Sequence, residues 1–271
     1  MTGPAEQTLL AAAERSPQAA TGHDRAGWVG LFTADGRVED PVGSRPHAGP
    51  VEIGRFYDTF IGPRDIAFHR DLDIVRGSSV IRDLDLEVAM GSAVTMTIPA
   101  FLRYDLREVD GEWKVVTLRA YWELPAMALQ FLRNGVSALP ATAQLSQGLI
   151  RNQRLRGTAG FVAGFRRAGS RQKTLVDTFV NAVGRGDRFG ALQALSSGAT
   201  ITFGDDEKAD VTELVERCSG ASAAKLIAAG STVAASVTSG IRRGVLFADV
   251  ARRGTGIHRV RYFPGDHQID D

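Results

Sequence analysis

The sequence predicts an α+β fold: two tandem cone-shaped domains, each with N-terminal helices packed on a curved antiparallel sheet. Three observations predict it. Helical patterning runs to Phe60, period-two alternation takes over from Ile66 to Glu123, and the same order of signals returns after residue 171. The expected division is 1–124 for the first domain, 125–170 for a basic, partly helical linker or lid, and 171–271 for a shorter, degenerate second domain.

In the first domain, Ala5 to Arg15 is rich in alanine and leucine and reads as a helix, which Ser16-Pro17 is expected to interrupt. Asp24 caps a short helix through Phe32. The turn Ala34-Asp35-Gly36 follows, and a strand of about four residues then carries Asp40. After a loop rich in proline and glycine, Val51 to Phe60 forms a third helix with Ile53, Phe56, Tyr57 and Phe60 on one face. Ile66, Phe68, Leu72 and Ile74 then alternate with polar residues, and Leu84, Leu86 and Val88 alternate with Asp83, Asp85 and Glu87. Ala93 to Arg107 is a long strand, Asp110-Gly111 a hairpin turn, and Trp113 to Glu123 the closing strand. Helices followed by such a meander close one side of a sheet and leave a pocket on that side.

Composition excludes several classes of function. The 271 residues are 44% hydrophobic, enough for a sizeable core, and the net charge of +1 gives no general pull toward nucleic acid. Cys218 is the only cysteine, so no disulfide framework exists within the chain. No apolar run approaches the roughly 20 residues of a membrane span, and the first residues lack a basic leader, so a cytoplasmic protein is expected. The five histidines, His23, His47, His69, His258 and His267, show no metal-ligand spacing, and there is no glycine-rich phosphate loop. Neither a metal nor a cofactor is expected.

The chemistry concentrates at Asp40. Pro41 removes a backbone donor and ends the strand, which leaves the Asp40 carboxylate at a sheet margin. Around it, Gly36-Arg37-Val38-Glu39-Asp40-Pro41-Val42-Gly43, then Pro46-His47, Gly49, Glu52-Ile53 and Phe56-Tyr57, and later Ala120-Tyr121-Trp122, resemble ketosteroid isomerases of the nuclear transport factor 2-like superfamily. The resemblance covers roughly residues 5 to 124. It implies the cone architecture and a cofactor-free steroid Δ-isomerase-like activity on a steroid-like or polycyclic apolar ketone. In that family an aspartate base works with an oxyanion hole of one tyrosine and one protonated aspartic acid.

Residue by residue, the resemblance places the general base at Asp40, a supporting tyrosine at Tyr57, and an indole that orients the carboxylate at Trp122. Trp28, Phe56 and Phe60 are expected to line an apolar substrate pocket with Trp122 and Leu102. The family's oxyanion donors are not reproduced: counting from Asp40 and Trp122 puts them near Ser16 and Leu102. Alternation makes Tyr104 the inward phenol nearest the missing acid, so Tyr104, partnered by Tyr57, is the expected replacement donor. Without those donors the cone also suits a dehydratase, cyclase or epoxide hydrolase, or a noncatalytic small-molecule-binding or scaffold protein.

Between Glu123 and Asp177 there is no acidic residue, while Arg133, Arg151, Arg154, Arg156, Arg166, Arg167, Arg171 and Lys173 are all basic. A docked linker ranks first for this stretch, a lid second, and membrane-surface contact after them. The second domain repeats the plan: a helix over Thr174 to Val183, a second helix capped at Gly186-Asp187, a strand Ala199 to Phe203, a helix over Val211 to Cys218, and strand-like runs near Lys225 to Ser239, Arg242 to Arg252 and Ile257 to Phe263. There Phe203 takes the place of Asp40, with Asp205 and Asp206 beyond it in an acidic turn. That copy is expected to lack the base and to serve as an internal pseudo-dimer partner, with homo-oligomerisation open. The expected ligand is an apolar small molecule, with no nucleic-acid partner.

Overall fold

In the computed structural model, residues 3–89, 95–123, 169–251 and 256–268 are described. The chain divides into two compact units, Met1–Arg166 and Arg167–Asp271. The expectation of a linker or lid lies outside the described residues as far as residue 168.

The first unit begins with helix α1 (Pro4–Thr21), whose first turn is tied by the Glu6 carboxylate accepting the Gly3 N–H at 2.8 Å. The expected break at Ser16-Pro17 does not occur. Pro17 lies inside the helix and cannot donate to the carbonyl four residues back. Leu9, Ala12, Ala13, Ser16 and Ala20, at helical spacing, are nevertheless all buried, and packing of that face carries the helix through. Helix α2 (Arg25–Gly30) is capped by Asp24, which accepts from the Gly27 N–H at 2.8 Å.

Strand β1 (Phe32–Glu39) is twice as long as expected and ends just before Asp40. The Ala34-Asp35-Gly36 turn is absorbed into it as an irregularity, with the pairing shifting between Phe32 and Arg37. Strand β2 (His47–Ala48) and helix α3 (Gly49–Phe56) follow, and α3 continues as a π-helical turn over Tyr57–Ile61. Four strands complete the unit: β3 (Asp65–Arg76), β4 (Ser79–Ala89), β5 (Thr95–Val109) and β6 (Glu112–Tyr121).

The strand order is β2-β1-β6-β5-β4-β3. Neighbours are antiparallel except β1 and β6, which run parallel with Val38 opposite Leu118, so the sheet is mixed rather than purely antiparallel. Bulges between Arg70 and Leu72 and between Asp105 and Leu106 bend it. The core lies between helices and sheet, where Leu9, Ala13, Trp28, Ile53 and Phe56 meet Val38, Val80, Leu84, Ala100, Leu118 and Ala120.

The second unit has the same plan: α4 (Ser170–Gly184), α5 (Arg188–Ala194), β7 (Leu195–Phe203), β8 (Glu207–Ala209), α6 (Val211–Arg217), β9 (Ala221–Ala229), β10 (Thr232–Ser239), β11 (Arg242–Val250) and β12 (Ile257–Gln268). Its strand order is β8-β7-β12-β11-β10-β9, again with one parallel pair, β7 and β12. The run read as one strand over Lys225 to Ser239 is two, β9 and β10. It has turned at Gly230, whose positive φ of 60° suits a residue without a side chain.

Equivalent positions carry equivalent contacts in the two units. Asp187 caps α5 through the Gly190 N–H at 2.8 Å, as Asp24 does for α2, and the helix-opening Arg25 and Arg188 pair with Asp58 and Glu216. Ser79 bonds to Asp105 and Thr232 bonds to Asp249, while Arg119 and Arg261 pair with the same two carboxylates. The chain therefore carries two tandem copies of one α+β architecture. Among the described residues no helix is long and apolar enough to cross a membrane.

Candidate active site

Asp40 sits in the short loop that follows β1. Two backbone bonds hold that loop: the Val42 N–H donates to the Ala120 carbonyl at 2.8 Å, and the Gly43 N–H to the Glu39 carboxylate at 2.9 Å. The Asp40–Pro41 peptide is cis. Because β1 and β6 run parallel in a register that sets Val38 against Leu118, the residue after β1 lies beside the end of β6. Trp122 stands there, and its indole N–H donates to Asp40 Oδ1 at 2.6 Å. Removal from water raises the Asp40 pKa from 3.8 to about 6, and the indole bond pulls the other way. The carboxylate is thus ionised at neutral pH yet basic enough to take a proton.

The apolar surroundings have a sealed part and an open part. Phe56 stacks on Trp28 with ring centroids 6.1 Å apart, and Phe60 follows at 5.1 Å from Phe56. Trp28 and Phe56 are fully buried, whereas Phe60 and Trp122 are only partly buried. Trp122 also packs with Ile66 and Leu86 against a second apolar cluster of Val88, Met96 and Ile98. The packing of Ile66 and Leu86 with Trp122, the partner of Asp40, was not assembled from sequence, although the alternation of β3 and β4 carried the signal.

No hydrogen bond joins the two expected phenols among the described residues. Tyr57 is buried beside Trp28, with ring centroids 5.5 Å apart, and its hydroxyl has no hydrogen-bond partner among the described residues. Burial raises its pKa, and the charges that act on it are Asp24, Asp58 and Arg25, at the outer side of the helices. Tyr104 instead lies opposite Leu118 on the helix-covered face, in hydrogen-bond contact with Ser16. Burial raises the Tyr104 pKa, against the opposing influence of Arg82 and Ser16, so its phenol stays neutral. Leu102 is buried opposite Ala120 and Arg82. The next carboxylate on β5, Asp105, points to the other face and is held low by Arg103 and Arg119 despite its burial.

Arg82 was missed. It is 1% exposed, and in the β4 register it shares the dry face with Val80, Leu84 and Leu86. Its Nη2 lies 2.7 Å from Glu14 and its Nε 3.0 Å from Asp73, and neither Nε nor Nη1 has a hydrogen-bond partner among the described residues. Burial opposes its charge, but Tyr104, Asp73 and Glu14 more than offset that, and its pKa is raised.

In the second unit the same positions are apolar. Ile201 is paired with Val260 as Val38 is with Leu118, so two residues further on Phe203 occupies the place of Asp40. Tyr262 stands where Ala120 does, 6.1 Å from the Phe203 ring, and the Arg217 guanidinium lies 4.1 Å over Phe203. Burial lifts the Cys218 thiol to about 11, so it remains protonated beside Tyr262.

Residues 9–129, within the first unit, match the family model of the nuclear transport factor 2 (NTF2) domain. Among solved structures, the chain is similar to the Δ5-3-ketosteroid isomerase from Mycobacterium sp., at 26% identity over 44% of this chain and 95% of that one, with a TM-score of 0.40. A Mycobacterium tuberculosis protein in complex with estradiol-17β-hemisuccinate is 23% identical over 44% and 95% of the two chains, with a TM-score of 0.40. The epoxide hydrolase/cyclase-like enzyme SalBIII, associated with pyran ring formation in the polyether salinomycin, is 19% identical over 44% and 94%, with a TM-score of 0.40. No curated protein matches the chain by sequence.

Proposed function

We propose that the first unit is a cofactor-free, ketosteroid isomerase-like enzyme in which Asp40 removes a proton next to the carbonyl of a steroid-like or polycyclic apolar ketone and returns it nearby. The observation that carries this reading is the 2.6 Å bond from Trp122 to a carboxylate whose pKa burial has raised to about 6. Proton abstraction next to a carbonyl needs a base poised close to working pH, and a carboxylate held at a fixed angle beside an apolar rim meets that need. The indole bond leaves the second carboxylate oxygen to take the proton.

Incubation with a β,γ-unsaturated ketosteroid, followed by the absorbance of the conjugated enone, tests the reading. Turnover in the native chain that falls by about 10²–10⁴ in Asp40→Asn supports it, since that is the range a positioned general base supplies. Absence of Asp40-dependent turnover counts against isomerisation.

A second reading is a noncatalytic binder of an apolar small molecule. The buried hydroxyl of Tyr57 favours it, because no hydrogen bond among the described residues holds that phenol in place as an oxyanion donor. In that case Asp40→Asn leaves ligand affinity unchanged and no turnover is seen with either chain. Cytoplasmic residence belongs to both readings.

A further inference from the structure

Asp40 and Arg82 belong to one cross-strand row on the helix-covered face of the first sheet. From the Asp40 loop beside β6 the row passes through Ala120, Leu102 opposite it, Arg82 opposite Leu102, and Asp73 opposite Arg82. Tyr104 lies one same-face step along β5 from Leu102. The corresponding row in the second unit reads Phe203, Tyr262, Leu246, Ala235 and Leu226, with Ala248 in the place of Tyr104. The architecture therefore closes its core without a charge at this position.

A buried guanidinium with an unpaired N–H is costly, because a donor left without an acceptor in a dry site loses its hydration without replacement. Glu14 pairs with Nη2 and Asp73 lies 3.0 Å from Nε, but the latter contact lacks hydrogen-bond geometry, so Nε and Nη1 are both without a hydrogen-bond partner among the described residues. An anchor for α1 alone needs only the first two contacts. Between Arg82 and Asp40 the row carries Leu102 and the small side chain of Ala120, where the second unit has Leu246 and the ring of Tyr262.

We propose that Arg82 Nη1, together with the Tyr104 hydroxyl, receives the oxygen of the ligand bound at Asp40: a carbonyl, or the enolate oxygen formed when the proton leaves. This rests on the reading of Asp40 as the base of an apolar-ligand site. The two carboxylates on Arg82 already balance its charge, so the pair suits a neutral or partly charged oxygen on an apolar ring better than a free acid. It supplies, from β4 and β5, the donors that Ser16 and Leu102 cannot.

The test compares binding of 2-naphthol and of naphthalene, which share one apolar body and differ by an oxygen, to the native chain, Arg82→Lys and Tyr104→Phe. Arg82→Lys keeps the positive charge for Glu14 and Asp73 but removes the planar fork that presents Nη1. The native chain is expected to prefer 2-naphthol, with that preference reduced at least tenfold in Arg82→Lys and several-fold in Tyr104→Phe, and naphthalene affinity unchanged. Circular dichroism and thermal melts identify a variant that fails to fold, and Tyr104→Phe, which loses only a hydroxyl, then decides the matter. An unchanged preference in the folded variants overturns the role of Arg82 and Tyr104 while leaving the Asp40 site standing. Absence of binding of either probe to the native chain overturns both.

Discussion

Withdrawal from water raises the Asp40 carboxyl pKa to about 6, and the Trp122 N–H offsets only part of that rise. The folded value lies above the 3.8 of a solvated carboxyl, so the folded chain holds the proton more tightly than the unfolded chain does. The stability linked to this proton is complete below the lower value and is lost as pH rises through about 6. Asp40→Asn removes that loss. The variant should be more stable than the native chain at about pH 8, by up to about 3 kcal/mol for a shift of roughly two units, and the two should converge below about pH 4. Urea denaturation at both pH values checks this, and a native chain more stable than the variant at the higher pH would refute it. Trp122→Phe deletes the bond that holds the carboxyl down, so its titration should move above about 6, read by carbon-detected NMR of the Asp40 carboxyl.

At the scale of elements, the cap Asp24-Arg25-Ala26-Gly27 recurs as Asp187-Arg188-Phe189-Gly190, and each glycine faces the cap carboxylate. A methyl group added at Gly27 would stand 2.0 Å from Asp24 Oδ2, and one at Gly190 2.3 Å from Asp187 Oδ2. Gly27→Ala or Gly190→Ala should thus displace the cap and cost about 1 kcal/mol, the typical value of a lost N-cap, measured as a lower denaturation midpoint. Both caps are legible in the sequence, at Asp24 and at Gly186-Asp187. The break expected at Ser16-Pro17 failed because a local rule about proline was outweighed by a buried helix face that only the fold reveals. Arg82 escaped because the alternation of β4 was read from Asp83 onward. Two residues earlier than Leu84, it is a charge on the dry register of the strand, and that phase alone was enough to single it out.

For the whole molecule, the tandem plan and the pairing of Asp40 with Trp122, 82 residues away, were both readable, since each rests on motifs that survive in the chain. The orphaned hydroxyl of Tyr57, without a hydrogen-bond partner among the described residues, was not, because it depends on the π-helical turn that opens at Tyr57. The two units differ where chemistry would occur: one row holds Asp40 and Arg82, and the other is filled by Phe203 and Tyr262. Calorimetric titration with a polycyclic ketone should accordingly give one site per chain, and two equivalent sites would contradict the assignment of an inert second unit. The proton itself is the most direct test. In heavy water, mass spectrometry should show deuterium entering the carbon next to the carbonyl of a bound polycyclic ketone, at a rate that rises with pH through about 6 and collapses in Asp40→Asn. Exchange at the same rate in both chains, or none above the uncatalysed rate in the native chain, would contradict the account of Asp40 as the base.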